Sequence, residues 1–302
     1  MGARRTSFDA IGTHWDITVT DSPSDIEWEQ LLKQIRHKIE VFDRSYSRFR
    51  ADSLVTRLSQ QAGTYDLPAD GYKLLRFYEQ LYKVTAGKVT PLIGQVMVDA
   101  GYDANYSFET KQLKQPFTWE DVIELSSTKL TIKQPALLDF GAAGKGYLVD
   151  LVSAILDNAE LHTYIINAGG DILHRSPSNN ALAIGLENPL DTNEAVGVAH
   201  ILNQSLCASS GSKRAWGTFH HIIDPVLLRS PTRIIATWVI ASDTMTADGL
   251  ATALFFTDPM ELREMYKFSF AVLHDDMTLY RSQDFPAELF EGDIDGDNYE
   301  KN

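Results

Sequence analysis

Cysteine is almost missing from this chain: Cys207 is the only one among 302 residues. An internal disulfide is excluded, and so is a zinc site assembled from several thiolates. No apolar run approaches the ~20 residues that a bilayer-spanning helix needs. The opening residues Met1-Gly2-Ala3-Arg4-Arg5 are basic but run into Ser7, Asp9 and Gly12, so they lack the hydrophobic region of a signal peptide. Basic charge is also scarce, with 27 Lys and Arg against 41 Asp and Glu, a formal net charge of -14. The phosphates of DNA or RNA would be repelled except at a local basic patch. A small anionic ligand stays compatible, because a metal ion or a few helix N-termini can outweigh the global field at one place. No Gly-x-Ser-x-Gly elbow occurs, and Cys207 has no cationic neighbour in sequence, so nucleophilic hydrolase chemistry has no foothold.

What is present is an ordinary globular composition, 44% hydrophobic and 23% charged. Trp15 to Thr20 alternates and is β-branched, which predicts a strand. Trp28, Leu31, Leu32, Ile35, Ile39 and Phe42 recur at helical spacing, with Ser24 or Asp25 as the cap. Short helices follow around Leu54 to Leu58 and Leu74 to Val84, before Gly87-Lys88-Val89-Thr90-Pro91 breaks the pattern. Leu137-Leu138-Asp139-Phe140 reads as a strand end, turning through Gly141-Ala142-Ala143-Gly144 into a helix with Tyr147, Leu148, Leu151 and Ile155. Strands are expected at Tyr164 to Ile166, Leu182 to Leu186, Val196 to Leu202, Phe219 to Ile223 and Ile234 to Ala241. Helices are expected from about Thr246 to Phe256 and Pro259 to Tyr266, then a hairpin of Ser269 to Leu273 and Thr278 to Tyr280. Strands and helices are segregated rather than alternating, which favours α+β over a doubly wound sheet. The acidic end from Glu288 reads as a frayed tail.

Several motifs are ambiguous one by one. Gly141-Ala142-Ala143-Gly144-Lys145-Gly146 has the wrong spacing for a Walker loop or a dinucleotide fingerprint. Its helix N-terminus suits an anion, yet a tight strand-to-helix turn explains it as well. Lys145 in that first turn works against the helix dipole, which points to a job for it. Asp248 and Thr252 are four apart on an apolar helix and so share a face. They form a hard-oxygen pair suited to magnesium, or else Asp248 caps the helix and Thr252 bonds back to a carbonyl. His220 and His221 face opposite ways on a strand, so they would not chelate one ion together. Asp139 could simply accept hydrogen bonds from the turn that follows it. Asn167-Ala168-Gly169-Gly170-Asp171 is a tight turn, and Ser209-Ser210-Gly211 looks like any polar turn. Asp293-Ile294-Asp295-Gly296-Asp297 imitates a calcium loop whose twelfth position would lie beyond Asn302, so it is rejected.

Their order along the chain is more specific than any of them alone. Ile11-Gly12-Thr13, Ser47-Arg48-Phe49, the Asp139-to-Tyr147 turn, Gly169-Gly170-Asp171, Ser209-Ser210-Gly211, His221-Ile222-Ile223-Asp224-Pro225 and Ala247-Asp248-Gly249-Leu250-Ala251-Thr252 occur in that sequence. The series resembles the ApbE family of FAD:protein FMN transferases over roughly residues 8 to 280. The resemblance implies an α+β, T-fold-like architecture: one catalytic domain over residues 1–290, of two interwoven lobes with FAD in the cleft between them, and an acidic tail over 291–302. It implies a magnesium-dependent reaction in which a Thr or Ser hydroxyl of a target flavoprotein attacks the FMN phosphorus of FAD and AMP leaves. By matching position, Ile11, Phe49, Lys88, Val89, Thr90, Asp139, Lys145 and Ile223 would contact FAD. The carbonyl of Ala142 with Asp248 and Thr252 would hold Mg2+, and His221 or Asp248 would handle the hydroxyl proton.

The chain also departs from the family pattern. Ile11 stands where Met is common, Phe49 for Tyr, Thr90 for Asp, and Ala251 for an Asp that some members carry. Val226-Leu227-Leu228-Arg229-Ser230 replaces the usual Thr-Gly after Asp224-Pro225. Many relatives are secreted lipoproteins, whereas this chain shows neither leader nor lipid-accepting Cys, so the expectation is a cytoplasmic location without membrane insertion, or else a chain from which the leader has been trimmed. Two other activities fit the same residues: an FAD pyrophosphatase, with water as the acceptor, and a non-catalytic FAD carrier.

Overall fold

A computed structural model describes residues 2–290 and 293–295. The chain divides into two compact units, one formed by residues 1–39, 145–213 and 232–302, the other by residues 40–144 and 214–231. The fold is α+β, as the segregated pattern implied.

The first unit is built on a nine-stranded sheet. Its strands run, edge to edge, Arg4–Ala10, Thr13–Val19, Tyr164–Ala168, Asp171–Arg175, Ser205–Ser210, Ile234–Ala241, Phe268–His274, Leu279–Arg281 and Asp293–Asp295. Every neighbouring pair is antiparallel except the last, which is parallel. The central strands are buried on both faces, which is why Ile234–Ala241 reads as a nearly continuous apolar run. One face carries Leu206, Ala236, Trp238, Ile240 and Leu273. These pack with Leu186, Ala199 and Ile201 of a smaller sheet formed by Leu182–Glu187, Ala195–Ile201 and Ala287–Leu289. On the opposite face Cys207 and Thr237 reach the helix Thr244–Ala253, through a Cys207 Sγ contact to the Thr244 carbonyl and a 2.7 Å bond from Thr237 Oγ1 to the Ala251 carbonyl.

The second unit contains the helices Leu54–Gln60, Gly71–Val84 and Gly94–Asp99, a three-stranded sheet of Gly63–Asp66, Lys129–Ile132 and Ile123–Leu125, and a short hairpin of Ala215–Trp216 with Phe219–His220. A second apolar cluster gathers Val96, Met97, Ala100, Tyr102, Trp216 and Ile223. Phe140 is edge-on to both Tyr46 and Tyr78, with centroids 5.3 Å apart in each case.

The long first helix spans Asp25–Tyr46. Ser24 caps it in a capping box, its own N–H and hydroxyl donating to Glu27 at 2.9 and 2.7 Å. Elsewhere the structure corrects the sequence reading. Residues 137–140 are not a strand: the Asp139 N–H bonds the carbonyl of Pro91, the first residue of the short helix Pro91–Ile93, at 2.7 Å. The strand predicted through Ile223 stops at His220, because Asp224 folds the chain back on itself. Ser209 and Ser210 end a strand rather than form a turn, paired with Thr237 and Ala236. Arg4–Ala10 forms a strand that its largely polar composition concealed. At the acidic end, Ala287–Leu289 and Asp293–Asp295 pair as strands. The rest of the 291–302 tail, and with it the rejected calcium-loop pattern beyond Asp295, lies outside the described residues.

Candidate functional site

In the first unit two helices meet at their N-terminal ends, and Gly146 is what lets them approach. A Cβ at Gly146 would lie 2.3 Å from the Thr244 carbonyl oxygen and 2.7 Å from Asp248 Cβ, so no other residue fits there without moving the helix opposite. The contact is reciprocal. The Gly146 N–H, in the first turn of helix Gly144–Asn158, donates to Asp248 Oδ2 at 2.8 Å. The N–H groups of Thr244 and Met245, in the first turn of helix Thr244–Ala253, donate to the two oxygens of Asp150 at 2.8 and 2.9 Å. Each helix therefore uses its own carboxylate to satisfy free amides of the other.

This arrangement answers two questions that the sequence left open. Of the N–H groups at this helix start, which as a set suit an anion, that of Gly146 is taken by the chain's own carboxylate. Asp248 does not cap its own helix; Asp243 does, accepting from the Thr246 N–H at 2.9 Å. Asp248 is buried, and desolvation raises its pKa, while Lys145 and the Gly146 amide oppose the shift. Lys145 forms an ion pair with Asp171, itself 1% exposed. The other oxygen of Asp171 is buried without a hydrogen-bond partner. Asp150 is likewise pushed up to about 6, by burial first, with the two amide bonds opposing and Asp243 adding to the rise. Cys207 is fully buried, and burial together with the Asp248 charge keeps its thiol protonated.

Asp248 and Thr252 offer a carboxylate and a hydroxyl one turn apart, and both suit magnesium, a hard cation that prefers oxygen. A buried carboxylate that retains a desolvation penalty is one that a cation would stabilise. Among the described residues no three His, Cys, Asp or Glu side chains gather around a point. The residues thus fit an ion that takes most of its remaining ligands from substrate and water.

The second unit holds most of the residues assigned to flavin. Asp139, expected to touch FAD, has both carboxylate oxygens engaged: Oδ2 by Arg48 Nε at 2.5 Å and Oδ1 by the Gly141 N–H at 2.7 Å. The turn-forming alternative is therefore realised. Arg48, which sequence reasoning did not single out, is 7% exposed and also donates to the Tyr102 carbonyl at 2.7 Å. Its guanidinium lies 4.2 Å from the Phe49 ring centroid and 5.0 Å from that of Tyr102, while Nη2 is buried and unpaired. Phe49 also stacks on Tyr106 at 5.6 Å. Only the Ser-Arg-Phe spacing could have flagged Arg48, and that spacing carries no charge partner in sequence.

His221 is kept neutral: its pKa is lowered to about 4, by burial first, then by Arg214 and His220, with the Arg214 backbone and Asp139 opposing. Its Nδ1 is buried and has no hydrogen-bond partner. The adjacent His220 is structural, with Nε2 2.8 Å from the Pro231 carbonyl oxygen. Asp224 accepts the N–H groups of Val226 and Leu227 at 2.8 and 2.9 Å, which shapes the unusual Val226–Ser230 segment, and its other oxygen lies 4.0 Å from Lys88 Nζ. Val89 and Thr90 are buried, and Thr90 caps the short helix Pro91–Ile93. Ile223 packs in the cluster with Tyr102 and Trp216. Ala142 sits half-buried in the turn before the Gly144 helix. Ile11, in the first unit, takes a φ of +46 at the hairpin tip beside Gly12, a conformation that β-branched residues rarely adopt.

The same order of elements is found in known proteins. A FAD:protein FMN transferase of Haemophilus influenzae is 29% identical over 262 residues, covering 79% of this chain and 74% of that protein. One of Vibrio cholerae is 24% identical over 262 residues, covering 81% and 78%. Among solved structures, the ApbE protein of Thermotoga maritima superposes with a TM-score of 0.80 at 20% identity, covering 95% of this chain and 100% of that one. The flavin transferase ApbE of Vibrio cholerae gives 0.77 at 20%, covering 94% and 98%. At such identity the structures speak for the fold. The ApbE family model matches residues 11–273, and the chain belongs to the ApbE family.

Proposed function

We propose that this protein is a magnesium-dependent FAD:protein FMN transferase that joins FMN through a phosphoester to a Thr or Ser of a target flavoprotein. The observation that carries this reading is Asp248: a buried carboxylate with a raised pKa, on the helix that also bears Thr252, in a chain of the ApbE family. Asp248, Thr252 and the carbonyl of Ala142 are the groups assigned to magnesium. When bound there, the ion would supply charge neutralisation to the phosphates of FAD.

The chain's own residues account for the remaining needs of such a transfer. The acceptor oxygen forms a bond to the FMN phosphorus while the bond to the AMP oxygen breaks, so AMP carries away the electron pair. The hydroxyl proton needs an acceptor, and His221 is a neutral imidazole with an unpaired nitrogen. Asp248, tied to the Gly146 amide, is the alternative acceptor. Phe49 offers a 38% exposed ring. Lys88, Val89, Thr90, Asp139, Lys145, Ile223 and Ile11 are the other residues we assign to FAD. Asp139 does so as part of the Arg48-linked turn, and Lys145 by way of its pair with Asp171.

The test is to incubate the protein with FAD, Mg2+ and a candidate flavoprotein, then measure target-bound flavin fluorescence and free AMP. Labelled target together with AMP supports the transferase. AMP without labelled target would identify an FAD pyrophosphatase, and FAD bound with no AMP a carrier. Asp248→Ala is expected to abolish turnover while leaving much FAD binding intact. Equal turnover in EDTA and in magnesium would remove the metal from the mechanism.

A further inference from the structure

Helix Thr244–Ala253 already has an ordinary N-cap. Asp243 accepts the Thr246 N–H at 2.9 Å, and the Ala247 N–H bonds the Asp243 carbonyl at 3.2 Å. The two amides that this cap does not reach, those of Thr244 and Met245, are both taken by Asp150 from the neighbouring helix. A second carboxylate there is electrostatically awkward, since Asp150 is buried and lies near the Asp243 charge. Stability of this one helix would be served at less expense by a neutral acceptor.

What the second carboxylate adds is registration. Two bonds, one to each oxygen, fix both the rotation and the axial position of the helix start relative to Gly146, only one turn earlier on the helix that bears Asp150. Asp248 then meets the Gly146 amide from a helix whose phase is set. A helix turns by about 100° per residue, so a small slip at its start swings every side chain that follows.

We propose that Asp150 is a positioning residue for the metal site: it pins the start of helix Thr244–Ala253 and so fixes the directions of Asp248 and Thr252. This rests on the magnesium assignment above. Asp150 does not touch the ion; it acts through the helix, as partners of metal ligands commonly do.

The experiment compares wild type, Asp150→Asn and Asp150→Glu. The first variant replaces one acceptor with a donor that opposes a backbone N–H; the second keeps the charge and both acceptors. Three quantities are read: Mn2+ affinity without FAD by electron paramagnetic resonance, the Mg2+ concentration for half-maximal flavin transfer, and amide exchange across residues 244–253. Asp150→Asn is expected to weaken Mn2+ binding about tenfold and raise the Mg2+ requirement similarly, with the maximal rate regained at high Mg2+. Exchange at Thr244 and Met245 should quicken, and Asp150→Glu should recover a large part of all three. If Asp150→Asn folds and exchanges faster yet binds Mn2+ as wild type does, Asp150 is only structural and the proposal is overturned. Should Asp150→Asn fail to fold, Asp150→Glu carries the same comparison: intermediate Mn2+ affinity supports the proposal, and wild-type affinity with faster exchange overturns it. A wild type that neither binds Mn2+ nor needs Mg2+ brings down the metal assignment and this inference with it, a failure visible before any variant is made.

Discussion

The two units solve the problem of buried charge in opposite ways. In the first, carboxylates outnumber cations: Asp150, Asp243 and Asp248 gather around helix Thr244–Ala253, with Lys145 paired to Asp171 nearby. Backbone amides do much of the compensating, and two of these carboxyls keep raised pKa values. In the second unit one guanidinium, Arg48, meets one carboxylate, one carbonyl and two aromatic faces, with only Nη2 left unpaired. The difference teaches what each is suited to. Carboxylates whose burial is only partly offset are prepared for a cation, whereas a cation enclosed by rings and a carboxylate is a structural anchor.

The strongest challenge to this contrast is Gly146→Ala. Its Cβ would meet the Thr244 carbonyl at 2.3 Å, separating the two helix starts. We expect loss of flavin transfer and destabilisation of about 1–3 kcal/mol or more. Gly185→Ala, whose Cβ would find only Ala195 Cβ at 3.8 Å, should leave both untouched. Equal behaviour of the two variants in thermal melts and activity assays would show that the close approach is unimportant.

In the second unit, Arg48→Ala leaves Asp139 without its ion partner, and urea unfolding should register a loss of about 3–5 kcal/mol. If Arg48 is an anchor, adding Asp139→Asn should restore part of that stability. A double variant as unstable as the sum of the singles would deny the coupling.

A smaller, conditional effect concerns pH. With its pKa lowered to about 4, His221 is neutral above that value and protonated below it. A base needs the neutral form, so the contribution of His221 should stay level from about pH 8 down to about 5 and decline only below, whereas Asp150, pushed up to about 6, loses its charge within that range. A fall centred near 6.5 that persists in Asp150→Asn at saturating Mg2+ would mean that His221 is more exposed during turnover than its surroundings here allow. The smallest change is expected from Phe49→Ala, which removes stacking on Tyr106 and the ring beneath Arg48. About 0.5–1 kcal/mol of stability should go, and a larger decline in FAD affinity than in stability would mark the ring as a flavin contact.

Sequence alone determined the α+β class, the helices around Ile35, Leu74, Leu148 and Leu250, the strand at Tyr164 to Ile166 (which the structure extends to Ala168) and the strand Ile234–Ala241, because periodic burial writes itself into local composition. The Asp248–Thr252 spacing was visible for the same reason: four residues make about one helical turn. Tertiary structure decided the rest. That Asp248 faces the Gly146 amide, 102 positions away, and Asp150 the amides of Thr244 and Met245, has no local signature. That Arg48 answers Asp139 across 91 positions is equally silent in the one-dimensional record. The largely polar strand Arg4–Ala10 was missed because edge strands need not bury a face. Local propensity sets elements; which charge neutralises which is settled only when the chain folds back on itself, since electrostatic partnership depends on distance in space and on water being excluded.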